Sequence, residues 1–375
     1  MELGEYRSSL DTWLGEHVAA LTPPPGAHTL EDQMHHLATV KRLTYEAGWM
    51  RWGWPSRVGG FGGSTLLRAY LGEALTTRDL VEPGIYSMTE VLAPTMIDYA
   101  TAELAADMVP RLLRGDETWC QGFSEPATGS NLAALSCRAS RSGDIWRVTG
   151  QKVWTSLAQY ADRCVLLTRT GSPESGHRGI TALFVDMDSP GIDVRPIETM
   201  HGAPEFSEVF FDDVAVPVDR TLGREGRGWS VAMDLLPYER STALWHRVAY
   251  LHRRLQCLLD VVPPDTLDPA AVGEAAQLLY SLRARSRATQ HRMAAGDRLG
   301  PGTSIDKVLV ATAEQAVFDL VADGLGPDLA AGDDDASDRW RREFLYSRAA
   351  TIYGGTAEIQ RNIIARRLLD LGTDR

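Results

Sequence analysis

Residues 119–131 read WCQGFSEPATGSN, and residues 352–369 read IYGGTAEIQRNIIARRLL. In the first stretch, glycine and hydroxyls follow an aromatic run. That composition suits a backbone hydrogen-bonding the edge of a flat ring while Ser130 reaches a phosphate or ribose, although it also suits an ordinary β-turn. In the second, Tyr353-Gly354-Gly355-Thr356 stands just ahead of a helix whose apolar face is Ile359, Ile363, Ile364 and Leu368. Glycines at a helix start leave the first N–H groups open, and Thr356 can cap the helix or donate to an anion there. A plain Gly-Gly turn with a Thr cap is the alternative. Two ligand-shaped segments at opposite ends of one chain suggest a shared site.

The texture between them divides the chain into three. Over about 1–118 the apolar spacing is helical, as in Leu66, Leu67, Tyr70, Leu71 and Ala74, with loops marked by Pro23-Pro24-Pro25 and the glycines at 59–63. Over about 119–225 short β-rich runs alternate with turn residues (Ile145–Val148, Cys164–Thr168, Ile180–Val185, Val209–Val216), which reads as an antiparallel β domain. Over about 226–375 long helical patterns return at roughly 229–257, 270–296, 303–325 and 338–370, which reads as a four-helix bundle.

Composition narrows the function. A chain of 375 residues with 44% hydrophobic and 23% charged residues can bury a sizeable core and is large enough for an enzyme. The net charge of −12 argues against a nucleic-acid partner, which would need a basic face. Cys120, Cys137, Cys164 and Cys257 lie far apart with no metal-ligand spacing and read as reduced core thiols. The first residues lack a signal-peptide pattern and no run of 18 apolar residues exists, so the expectation is a cytoplasmic protein outside the membrane.

A third segment, Gly150-Gln151-Lys152-Val153-Trp154-Thr155-Ser156, sets an indole and then hydroxyls on a strand, where they could pack in a core or face a heteroaromatic cofactor. Together with the SEPATGSN segment, EFSEVFFDDVAVP at 205–217, Tyr238-Glu239-Arg240 and the YGGTAEIQRNII ending, it resembles the acyl-CoA dehydrogenase family over nearly the whole chain. The resemblance implies an α+β multi-domain fold: a helical N-terminal domain (1–118), a middle antiparallel β domain (119–225) and a C-terminal four-helix bundle (226–375). It implies FAD held where the last two meet. Gln121, Phe123 and Ser124 would edge the isoalloxazine, Gly129 and Ser130 would lie near phosphate or thioester-ligand groups, and Trp154, Thr155 and Ser156 would flank the ring. Gly355, Thr356 and Glu358 would bind the distal part of the FAD.

The reaction implied is α,β-dehydrogenation of an acyl-CoA, in which a carboxylate takes the Cα proton while hydride leaves Cβ for the flavin. Many relatives carry that base at the position occupied here by Gly354, and glycine cannot abstract a proton. A second branch carries it within a Glu-Arg pair on the first bundle helix, which Tyr238-Glu239-Arg240 matches, so Glu239 is the expected base. Arg240 is expected to orient Glu239, to approach the CoA or to serve structure alone.

The chain also departs from the family. The stretch LLDVVPPDTLDPAAVG at 258–273 lacks the Arg and Phe-Gly that in homo-oligomeric relatives reach a neighbour's FAD pyrophosphate. Asn131 stands where Asp is usual, and the ending Leu369-Asp370-Leu371-Gly372-Thr373 lacks the usual Pro-Arg. The expected assemblies are a homodimer or tetramer, or a heterotetramer with a related subunit that supplies the arginine. An electron-transfer flavoprotein is the expected electron acceptor, and the motif wording resembles the branch acting on bulky, branched or steroid-derived acyl chains. The rival readings are a flavin oxidase or monooxygenase on the same fold and a non-catalytic partner subunit.

Overall fold

The computed structural model describes residues 1–27 and 29–372, so Thr373 lies outside it. Five helices open the chain: α1 (Leu3–Leu21), α2 (Leu30–Glu46), α3 (Thr65–Thr77), α4 (Pro83–Tyr99) and α5 (Ala102–Arg114). Their starts follow the sequence closely. Thr29 and Asp32 form a reciprocal capping box on α2, and Ser64 and Thr101 cap α3 and α5 through their hydroxyls. The α3 apolar face buries Leu67, Leu71 and Ala74 as the spacing predicts.

The middle of the chain is one eight-stranded sheet: β1 (Trp119–Gly122), β2 (Arg138–Ser142), β3 (Ile145–Ser156), β4 (Arg163–Arg169), β5 (Ile180–Asp186), β6 (Ile192–Ile197), β7 (Phe206–Pro217) and β8 (Thr221–Leu222). The order is β6-β7-β3-β2-β4-β5-β8, with β1 added beside β4. Most ladders are antiparallel as expected, but β1 runs parallel to β4, and Arg138 of β2 pairs in parallel with Arg169. The β1 strand carries WCQG in a short apolar run that alternation alone does not reveal, because Trp119, Cys120 and Gly122 are all buried.

The remainder is helical: α6 (Gly228–Glu239), α7 (Thr242–Val261), α8 (Pro269–Ala294), α9 (Thr303–Leu325), the short α10 (Pro327–Ala331), α11 (Asp335–Ser347) and α12 (Ala357–Arg367). The helix expected over 229–257 is in fact two. Pro237 lies inside α6, and Ser241 leaves helical geometry (φ −119, ψ −93) while its hydroxyl and its N–H both donate to the Tyr238 carbonyl. The chain therefore breaks immediately after Glu239 and Arg240, which places both residues at the C-terminal end of α6. The expected fourth helix is likewise split into α11 and α12 by the Tyr353–Gly355 loop, where Gly354 and Gly355 take φ +62 and +92. Only Ala357 and Gln360 of α12 are buried, and Leu368 is 41% exposed, so its apolar face is only partly covered.

Among the described residues three cores result. One joins the N-terminal helices to β1, β4, β5 and α6, a second fills the bundle of α7, α8 and α9, and a third lies within the β domain around Trp146, Leu166, Val185 and Phe211. Residues 258–273 form the end of α7, the α7–α8 loop and the start of α8.

Candidate functional site

The SEPATGSN segment is built around a buried ion pair. Lys152 on β3 is fully buried; its Nζ donates to Glu125 Oε1 at 2.8 Å and to the Phe123 carbonyl at 3.1 Å. Glu125 accepts further hydrogen bonds from the backbone N–H groups of Ser136 and Cys137 and from the Ser136 hydroxyl; against the opposing effect of burial, the Lys152 ammonium first and the two backbone N–H groups second hold its carboxyl below the ordinary range. This satisfied buried pair fixes the loop that follows β1. The Val153 N–H then donates to the Ser124 carbonyl at 2.9 Å, so residues 121–124 and 153–156 run side by side as one wall.

The wall has the features of a ring-binding surface. Trp154 sits at a register shift between Lys152 and Thr155, with φ +58, and is 57% exposed. A β-bulge of this kind re-aims one side chain off a strand, and the Trp154 ring meets Phe206 edge-on at 6.0 Å while most of its surface stays open. Gln121 Oε1, Thr128 Oγ1 and Thr155 Oγ1 are buried without a hydrogen-bond partner. Gly129 and Ser130 are exposed at the loop edge, and a Cβ at Gly129 would meet no protein atom within 4 Å, so nothing in the chain's own packing demands glycine there. Orphaned polar atoms beside an exposed indole and an open glycine edge fit a planar, hydrogen-bonding, phosphate-bearing group such as FAD.

A second cluster gathers at the break after α6. Arg240, 8% exposed, donates from Nε and Nη2 to the Gly354 carbonyl at 3.2 and 2.9 Å, and Gln360 Nε2 donates to the same oxygen at 3.1 Å. Arg240 thus ties the end of α6 to the C-terminal loop. Glu239 reaches the same loop: its Oε1 lies 2.9 Å from the point a Cβ on Gly354 would occupy. Thr356 caps α12 by accepting from the Ile359 N–H at 3.3 Å, and Glu358 projects from α12 with 77% of its side chain exposed, 3.7 Å from Arg361.

Residues that sequence reasoning did not single out connect this cluster to a cleft of about 700 Å³. Arg247 on α7 makes a bidentate pair with the buried Glu314 of α9, at 2.7 and 3.0 Å, and Tyr353 donates to Glu314 at 3.3 Å. The Tyr353 ring lies 6.0 Å from that of Tyr346. Arg247 and Tyr346 line the cleft together with Glu82, Ile85, Glu205 and Tyr250. Glu205 belongs to both regions, since its carbonyl accepts from the Leu157 N–H, one residue past Ser156, at 2.8 Å. Burial and the nearby Glu82 push its carboxyl up to about 7, with Arg247 opposing. A charged pair spaced across separate helices leaves no local sequence pattern, which is why spacing could not find it.

All four cysteines are free, and among the described residues no group of His, Cys, Asp and Glu could hold a metal ion. No described helix is long and apolar enough to cross a membrane.

Comparison with known proteins decides what this arrangement belongs to. The N-terminal, middle and C-terminal domains of acyl-CoA dehydrogenase match residues 7–116, 120–214 and 226–369 respectively. The chain belongs to the acyl-CoA dehydrogenase family. It is 34% identical over 380 residues to the acyl-CoA dehydrogenase IpdE1 of Mycobacterium tuberculosis, covering 99% of this chain and 98% of that one. It is 36% identical over 285 residues to the acyl-CoA dehydrogenase FadE34 of the same organism, covering 74% of this chain and 39% of that one. Among solved structures, the ChsE4–ChsE5 complex from M. tuberculosis superposes with a TM-score of 0.83 at 27% identity, over 99% of this chain and 98% of that one. The Tcur3481–Tcur3483 steroid acyl-CoA dehydrogenase has the same fold, with a TM-score of 0.84 at 24% identity over 100% of this chain and 98% of that one. The family consists of oxidoreductases, and the helical, β and helical order expected from the sequence is the acyl-CoA dehydrogenase architecture.

Proposed function

We propose that this acyl-CoA dehydrogenase uses FAD to convert an acyl-CoA thioester to its trans-2-enoyl-CoA, with Glu239 as the base. The observation that carries the reading is the carboxylate of Glu239 filling the space over Gly354. A base brought in from α6 and a side chain at 354 would compete for one volume, and this chain has the first without the second.

Bound FAD supplies the hydride acceptor; the groups suited to hold it are Gln121, Phe123 and Ser124, the Gly129–Ser130 edge, Trp154, Thr155 and Ser156, and Gly355, Thr356 and Glu358. The chain's own residues do the rest. The break after α6 aims Glu239 along the C-terminal loop, where it takes the proton from the thioester Cα. Arg240 and Gln360 clamp the Gly354 carbonyl, so the loop facing Glu239 cannot swing away. Ser130 and the exposed loop edge are placed for the polar CoA end, and the cleft beside Tyr346 and Tyr353 receives the acyl group. A cleft of about 700 Å³ is in the range of whole small-molecule sites, which supports a bulky or branched acyl chain, as does the likeness to a steroid acyl-CoA dehydrogenase.

The α7–α8 loop is without arginine, so a related second subunit is proposed to complete the FAD pyrophosphate site; the two-subunit composition of the ChsE4–ChsE5 and Tcur3481–Tcur3483 relatives supports this. The electrons are proposed to leave to an electron-transfer flavoprotein. The deciding experiment is anaerobic flavin bleaching by CoA thioesters of increasing bulk, on the chain alone and co-expressed with a related subunit. Bleaching by a bulky thioester that Glu239→Gln reduces by about 10²-fold or more is the expected result. Bleaching unaffected by Glu239→Gln removes the base assignment, and reoxidation in air as fast as reduction makes the enzyme an oxidase instead.

A further inference from the structure

The chain meets its need for cations almost wholly with arginine. Of its 38 basic residues only Lys41, Lys152 and Lys307 are lysines, and all three are buried, at 5%, 0% and 4% exposure. Lys152 holds Glu125 and so fixes the loop after β1, while Lys41 lies in the N-terminal core with its Nζ on the Leu112 carbonyl at 3.1 Å. Lys307 is different, because its surroundings are the proposed base and the loop that faces it.

Lys307 projects from α9 toward the end of α6. Its Nζ donates to the Ala350 carbonyl and stands 4.2 Å from the centre of the Tyr353 ring, a cation–π contact with the residue next to Gly354. Its Cε lies 3.2 Å from the point a Cβ on Gly354 would occupy, the same point that Glu239 Oε1 approaches to 2.9 Å. The lysine and the carboxylate therefore flank one small volume over the glycine. The other charges facing Lys307 are Glu314 on its own helix, Arg240 at the end of α6 and Arg247 on α7. Glu314 is already engaged by the bidentate Arg247, and Arg240 is committed to the Gly354 carbonyl.

We propose that Lys307 is a positioning residue for Glu239: fixed by the Ala350 carbonyl and the Tyr353 ring, its ammonium supplies the countercharge that keeps the carboxylate over Gly354 and directed at the substrate Cα. The inference rests on Glu239 being the base. The ammonium meets the Ala350 carbonyl and the Tyr353 ring face together, which holds its charge beside the loop that Glu239 reaches. Burial pulls the Lys307 amine down to about 8, against the opposite pull of Glu314 and Glu239, so the countercharge is present at neutral pH and is lost as the pH rises through that value.

Two measurements test it. The first needs no flavin. With lysine labelled at Cε the chain gives three carbon resonances, assignable by substitution, and the Lys307 signal should titrate near pH 8 in the native sequence. Its midpoint should fall in Glu239→Gln, since an anion that raised it is gone; a midpoint unmoved by Glu239→Gln overturns the proposal.

The second measurement is the pH profile of flavin reduction in the FAD-loaded enzyme. The native rate should decline above pH 8, and Lys307→Arg should retain most of the rate and move the decline to higher pH. Lys307→Met should lose roughly 10- to 100-fold at pH 7, the scale of one poorly screened charge pair a few ångströms apart, and show no further decline near pH 8. An unchanged profile in Lys307→Arg overturns the proposal even if Lys307→Met fails to fold. Full activity in Glu239→Gln would sink the base assignment itself; an inactive Glu239→Gln with an unaltered lysine titration sinks the role of Lys307 alone.

Discussion

Glu239 Oε1 lies 2.9 Å from the point a Cβ on Gly354 would occupy, and Gly354 adopts φ +62, a conformation that side-chain-bearing residues rarely take. Two independent reasons thus keep 354 a glycine: the carboxylate has taken the space, and the backbone is left-handed. Gly354→Ala should therefore displace Glu239 and strain the loop together. Misplacement of a reacting group by about 1 Å costs on the order of 10²-fold in rate, and the unfavourable backbone costs about 1 kcal/mol of stability. Turnover measured beside urea unfolding should show a large catalytic loss against a small loss of stability.

The buried Lys152–Glu125 pair, 0% and 3% exposed, is the keystone of the proposed ring wall. Removing one partner leaves the other charged and uncompensated, which costs about 3–5 kcal/mol. Lys152→Met should lower the urea midpoint accordingly and loosen the Ser124–Val153 pairing, so the purified variant should also carry less flavin. Retention of both stability and flavin would show that Glu125 finds its support in Ser136 and Cys137 alone.

His246 sets an acid limit on stability. It is fully buried on α7, its Nδ1 is 3.1 Å from Ser87 Oγ, and burial pulls its imidazole down to about 3 from an ordinary 6.5. Above pH 6.5 the ring is neutral in both folded and unfolded chains and costs nothing. As the pH falls from 6.5 toward 3 the unfolded chain takes up a proton that the folded chain refuses, so stability declines by up to about 1.4 kcal/mol per pH unit from this residue. Urea unfolding at pH 7 and pH 5 should show a difference that shrinks in His246→Gln.

Much of this organisation is legible in residues 119–131, 150–156 and 352–369. The helical and β textures separate by their periods of 3.6 and 2, and Thr356 announces the start of α12. The break at Arg240–Ser241 is not legible by periodicity, because Pro237 and the Ser241 hydroxyl act on a run whose apolar spacing continues through α7. Nor are Arg247 and Glu314, which become meaningful only when α7 and α9 pack together, or Lys307, which becomes so only when α9 meets the 350–354 loop that Glu239 reaches. Burial of β1 on both faces hides its parallel pairing with β4, as a run with no polar face carries no register signal.

Glu205 makes the proposed acyl cleft sensitive to pH. The group lies on the turn that hydrogen-bonds Leu157, lines the cleft with Glu82 and Arg247, and is pushed up to about 7 by burial and by Glu82. At pH 6 it is mainly a neutral acid, and a bulky uncharged acyl group can cover it at little cost. At pH 8 the same group would bury a carboxylate, so binding has to be accompanied by uptake of a proton. Because one proton is involved, the KM for such a thioester should rise by at most about tenfold per pH unit above 7. Glu205→Gln should keep the low-pH KM at both values. A KM that rises equally in the variant would assign the effect to another group, with Lys307 distinguishable because its loss acts on the rate of flavin reduction at saturating substrate.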